Sequence, residues 1–124
     1  MRILLIYPLV CKKPAIYDYH LGNVPPLRLT YLASFARAHG HDVKILDRNI
    51  DAYRNNFDIS SLNRMMLKTI SDFDPHIVGM SVLTPQAFDA QNIAKVCKDF
   101  NPSTKIIVGG QHASIEYEKM LESE

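Results

Sequence analysis

A chain of 124 residues, 47% of them apolar and with 14 basic against 13 acidic side chains, can bury one core without metals or disulfides and has no charge run to attract nucleic acid. Cys11 and Cys97 stand far apart with neither a CxxC nor a Cys–His spacing, which excludes a zinc site and a disulfide framework and fits a reducing, cytoplasmic setting. The opening run Ile3–Ile6 is too short for a signal peptide and meets Pro8 and then Lys12–Lys13, and no stretch could span a membrane.

Ile3 to Tyr7 is a continuous apolar run ending at Pro8, the pattern of a parallel strand covered on both faces. The segment through Val24 mixes Lys, Pro, Tyr, Asp, His and Gly without period, and its length predicts a functional or mobile loop. Pro25–Pro26 then opens a helix over roughly Pro26 to His39, with Leu29, Leu32, Phe35 and Ala36 at helical spacing and Gly40 as a left-handed cap. A second strand, Val43 to Leu46, ends at Asp47, and a polar stretch leads to a helix marked by Leu62, Met65, Met66, Ile70 and Phe73. The two methionines read as core.

Ile77 to Val82 is the third strand. Thr84–Pro85 reads as an N-cap followed by proline at the first helical position, and Ala90, Ile93, Ala94 and Cys97 form that helix's buried stripe. Lys105 to Val108 makes a fourth strand closed by Gly109–Gly110, and a polar helix begins near His112. Four β-α repeats predict a flavodoxin-like (Rossmann-like) α/β fold, a parallel sheet with helices on both faces. Such sheets usually have five strands, so residues 1–124 are expected to be one domain, the N-terminal piece of a longer protein with its last strand missing here.

Ligands of open parallel sheets bind at the carboxyl ends of the strands, where connections switch direction. Here those ends carry Pro8, Asp47, the stretch Ser81–Pro85 and Gly109–His112: small groups, hydroxyls and open backbone amides, with no nucleophile and no metal-ligand cluster. The first loop has neither GxGxxG nor GxxxxGK[ST], and its one glycine, Gly22, lies far from the strand end, which argues against a phosphate cradle. A phosphoacceptor receiver would need carboxylates where Tyr7–Pro8 and Ser81 stand.

Ile3–Pro8, Pro25–Leu27 leading into Tyr31–Ala33, Gly40–Val43 with Leu46–Asp47, Val78–Ser81 with Thr84–Gln86, and Val108–Ser114 follow in order and spacing a family that the chain resembles: the cobalamin-binding domain at the N-terminus of cobalamin-dependent radical S-adenosylmethionine proteins. The stretch Ser81 to Gly110 also resembles the cobalamin module of methionine synthase. The resemblance implies non-covalent binding of cobalamin, its benzimidazole displaced from cobalt and no protein ligand below. The nucleotide tail would enter where Gly109 and Gly110 leave a gap. Ser81 and Thr84 would hydrogen-bond the tail, the corrin would lie near Pro8, Pro25 and Leu27, and Asp47 and His112 are further candidate contacts.

Each of these residues also has an ordinary role: turn chemistry for the glycines, capping for Thr84 and Asp47, helix starts for Pro25–Pro26 and His112. Asp18–Gly22 approaches the DxHxxG loop of cobalamin modules that supply a ligand histidine, but the required glycine is Asn23, so His20 is read as a solvated loop residue. The family's iron–sulfur cluster and S-adenosylmethionine would belong to a downstream domain, since two isolated cysteines cannot supply CxxxCxxC. The chain alone should bind and not catalyse. Two alternatives are a scaffold or docking domain that no longer binds cobalamin, and a stand-alone α/β enzyme acting on a small anion, the latter disfavoured by the lack of converging acids and bases.

Overall fold

A computed structural model describes residues 1–10 and 25–122. In order come β1 (Arg2–Tyr7), α1 (Leu27–Ala38), β2 (Asp42–Asp47), α2 (Arg48–Arg54), α3 (Ile59–Phe73), β3 (Ile77–Ser81), a 3-10 turn (Thr84–Gln86), α4 (Ala87–Phe100), β4 (Lys105–Gly109) and α5 (Gln111–Glu122). The described strands form one parallel sheet in the order β2-β1-β3-β4, the flavodoxin-like order. The connection from β1 runs outward to β2, whereas those from β2 and β3 run the other way. Right-handed crossovers therefore put α1 on one face and the later helices on the other.

The sheet is apolar throughout because both faces are used. On one face Leu4 and Ile6 of β1 and Val78 and Met80 of β3 pack with Met66, Ile70 and Phe73 of α3 and with Ala90, Ile93 and Cys97 of α4. On the other, Leu5 and Val43 meet Leu29 and Ala33 of α1. A smaller cluster of Leu9, Ala52 and Leu62 lies under the end of β1. Gly40 takes φ +85°, and the bond from His41 N–H to the Ala36 carbonyl (3.2 Å) closes α1 beneath it.

Three elements differ from expectation. The face that α1 buries is Leu29 and Ala33, with Ala36 packed beside them, while Leu32 and Phe35 are 50% and 58% exposed; over β3 and β4 no described helix meets that side of α1. The polar stretch after β2 is the helix α2, capped by Asp47, whose Oδ1 accepts from the N–H groups of Asn49 (2.9 Å) and Ile50 (3.4 Å). Thr84 does not cap α4. The Gln86 side chain folds back instead, its Oε1 accepting from Leu83 N–H at 3.0 Å, and the 3-10 turn precedes the helix.

Candidate binding cleft at the switch point

β1 and β3 are neighbours whose connections leave in opposite directions, and their carboxyl ends border a cleft of about 350 Å³. Its walls are Tyr7 and Val10 from the end of β1, Pro25 through Leu29 from the start of α1, and Ser81, Leu83, Pro85 and Gln86 after β3. A larger apolar hollow of about 760 Å³ lies between α4, β4 and α5, on the opposite face of the sheet from α1.

Register determines what faces the cleft. Asp47 pairs with Tyr7, and Ser81 with Gly109; since Ile6 pairs with Met80, these four residues form one row on the α1 face at the sheet's carboxyl edge. The row behind it is Ile45, Leu5, Gly79 and Ile107. α1 covers the β2 and β1 halves of these rows, whereas Ile107 on β4 is 55% exposed. A methyl placed on Gly109 would have no neighbour within 4 Å. The open half of the sheet thus carries Ser81 and Gly109 with a slot above Gly109, whereas Gly79 is covered by Leu5, whose Cδ2 would lie 2.9 Å from an added Cβ, and the exposed Ile107 side chain stands beside it.

Gly110 does something different. Its φ is +94°, and a Cβ there would lie 2.7 Å from the Val82 nitrogen and 2.8 Å from its carbonyl oxygen. This close approach stitches the two loops together: Val82 N–H donates to the Gly109 carbonyl (2.8 Å) and His112 N–H to the Val82 carbonyl (3.1 Å). Thr84 Oγ1 and His112 Nδ1 then meet at 3.2 Å.

Of the residues expected at the site, Pro25, Leu27 and Ser81 line the cleft, Gly109 opens the slot beside it, and Thr84 and His112 form a polar pair at the rim. Asp47 stands in the same row but spends its carboxylate on α2. Burial raises its pKa above the usual carboxylate range, against the opposing pull of the Asn49 and Ile50 donors. Pro8 is fully buried, and its carbonyl accepts from Asn49 Nδ2 and Gln86 Nε2, both at 2.9 Å. Cys11 and the Asp18–Asn23 stretch with His20 lie outside the described residues.

Sequence reading passed over Tyr7, Val10, Arg28 and Gln86. Tyr7 carried a usable signal, being the polar residue that ends an apolar strand at the switch point. Its phenol is half-buried and its pKa is raised, first by that burial and then by the charge of Asp47, against the Gln86 amide and Arg28. Also passed over were two charges beneath the cleft, Arg48 and Asp89, 1% and 6% exposed. Among the described residues no three His, Cys, Asp or Glu side chains cluster as metal ligands, and no helix is long and apolar enough to cross a membrane.

Fold and cleft together define a flavodoxin-like module with a cleft at the β1/β3 switch point. The chain belongs to the B12-binding domain family, whose B12 binding domain matches residues 17–124. It is 37% identical over 114 residues to an uncharacterized methyltransferase of Pyrococcus horikoshii, covering 92% of this chain and 22% of that protein. An anaerobic magnesium-protoporphyrin IX monomethyl ester cyclase of Rubrivivax gelatinosus is 28% identical over 127 residues, 98% of this chain and 20% of its own length. A cytidylyl-2-hydroxyethylphosphonate methyltransferase of Streptomyces wedmorensis is 28% identical over 98 residues, 71% of this chain and 18% of its own. The chain thus spans about a fifth of the length of these relatives. No solved structure matches it.

Proposed function

We propose that this domain binds cobalamin non-covalently at the cleft between the ends of β1 and β3, for a radical S-adenosylmethionine domain of the same cytoplasmic polypeptide. The observation that carries the reading is the slot beside the cleft: Ser81 and Gly109 paired in one row, with empty space where a Cβ on Gly109 would be. A nucleotide tail needs a channel of this kind along the sheet, and a small metabolite does not. Ser81 and the Thr84–His112 pair would hydrogen-bond the tail, and Pro25 and Leu27 would offer apolar surface to the corrin. Pro8 and Gly110 would act indirectly, by holding the loops. Asp47, committed to α2, would shape the rim next to Tyr7.

Bound there, cobalamin supplies a cobalt centre able to carry a methyl group. No described histidine stands free at the cleft, since His112 is engaged with Thr84, and the stretch around His20 lacks its motif's glycine. This supports a cofactor held without a protein ligand, and the reading that its base is off the metal rests on the family resemblance alone. The iron–sulfur cluster and S-adenosylmethionine belong to the remainder of the polypeptide, for which the length of the relatives leaves room. Two of those relatives are methyltransferases by name, so methyl transfer or a related radical reaction is the activity assigned to the whole.

The test is reconstitution of the full-length protein with hydroxocobalamin, followed by gel filtration. Retained colour near one equivalent is expected, and a colourless protein would leave a scaffold or docking role. His20→Ala should leave the visible spectrum of the bound cofactor unchanged, and likewise the electron paramagnetic spectrum after chemical reduction to cobalt(II); nitrogen hyperfine splitting that disappears with this substitution would overturn the ligand-free assignment.

A further inference from the structure

We propose that four buried side chains beneath the cleft, Arg48, Asn49, Gln86 and Asp89, are positioning residues for the corrin: together they lock the β1 loop to the β3 loop in the binding geometry. This rests on the cobalamin reading above. Arg48 Nε and Nη2 each donate to one oxygen of Asp89 at 2.9 Å, a two-pronged pair. Asp89 Oδ2 also accepts from Leu9 N–H at 2.8 Å. Asn49 grips the backbone on both sides of Leu9, donating to the Pro8 carbonyl (2.9 Å) while its Oδ1 accepts from Val10 N–H (3.0 Å). Gln86 donates to the same Pro8 carbonyl (2.9 Å), and its Oε1 accepts from Leu83 N–H (3.0 Å).

Every backbone group so held belongs to the cleft or borders it. Tyr7, Val10 and Leu83 line the cleft, and the pinned residues Pro8 and Leu9 lie between the first two. Stability alone is a poor reason for this arrangement, because desolvating an ion pair costs about what the attraction returns, and apolar side chains of similar volume usually serve a core as well or better. Position is what apolar side chains cannot supply. Three consecutive backbone residues are each held by a directional bond from α2, from the 3-10 turn or from α4, and Gln86 makes the β3 loop move with them.

The deciding variant is the apolar pair Arg48→Met with Asp89→Val, which stays close to the original volume but removes the acceptor for Leu9 N–H. Asn63 retains Asn92 Nδ2 as a donor at 3.1 Å. In the full-length protein this variant should stay folded and bind hydroxocobalamin at least tenfold more weakly than the parent. It should lose affinity equally for cobinamide, which has the corrin without the nucleotide tail. Arg48→Met with Asp89→Asn, which restores an acceptor to Leu9, should recover most of the binding. A folded apolar variant with parental affinity would overturn the proposal, as would a loss confined to cobalamin with cobinamide unaffected. Should the apolar pair fail to fold, Gln86→Leu, which uncouples Pro8 from Leu83 and spares the ion pair, is read by the same criteria. A parent protein that binds neither corrinoid refutes the cobalamin reading, and this inference with it.

Discussion

Gly109 and Gly110 are adjacent and chemically identical, yet the backbone gives them opposite tolerance. At Gly110 an added methyl collides with the Val82 main chain and φ is +94°, so Gly110→Ala should cost about 1–3 kcal/mol of stability, read as a lower melting temperature. At Gly109 a side chain projects into space. Gly109→Val should therefore melt close to the parent but lose cobalamin, while cobinamide binding persists. Equal loss of both corrinoids would remove the tail from the Gly109 slot. Cys97, fully buried on the inner face of α4, is as inert as its sequence context suggests: burial pushes its thiol from an ordinary 9.0 up to about 11. An unfolded chain ionises this thiol before the folded one does, so its contribution is intact below pH 9 and lost as pH rises towards about 11, a decline of roughly 2–3 kcal/mol. Urea titrations of Cys97→Ala, in a Cys11→Ser background, should lack this alkaline slope.

At the scale of elements, α2 shows what a cap accomplishes. Its sequence, Arg48–Arg54, has no apolar stripe, and the Asp47 carboxylate provides its start signal. Asp47→Ala should cost about 1 kcal/mol in urea denaturation. Asp47→Asn should be neutral or stabilising at pH 7, because asparagine caps equally well and escapes the burial that disfavours the charge. With the folded pKa raised, this carboxyl's contribution is fully present below its unfolded pKa and fades as pH rises through the folded one. The same elements explain what a linear reading can reach. All four strands were legible because strands covered on both faces must be unbroken apolar runs, and the Gly40 stop because few other residues take its φ. α2 was not, since its buried residues Arg48 and Asn49 look like solvent-facing polar ones. Of the cleft's lining, Ser81 was legible from fold logic, and Pro25 and Leu27 from the family resemblance. Its support was not: Arg48 and Asp89 are 41 positions apart, and nothing local in either segment announces the other. Thr84 was misjudged as a cap because the Gln86 side chain competes for the same turn.

For the whole molecule, a ligand that binds only the folded state stabilises it by about 2.7 kcal/mol at one hundred times its dissociation constant. Saturating hydroxocobalamin should raise the melting temperature of the parent by several degrees; no rise in the Gly109→Val variant at the same concentration would accompany loss of the tail slot. The strand order β2-β1-β3-β4 has a further consequence, for biogenesis. β1 is made before β2 and β3, yet it is bonded on both sides, to both of them. Its β3 edge stays open until residues 77–81 have been made, and until then Leu4 and Ile6 face water. A nascent chain arrested between β2 and β3 should therefore bind a holdase chaperone through β1, and charged substitutions at Leu4 should weaken that capture. Release should come only when a chain long enough to expose β3 lets the sheet close around β1.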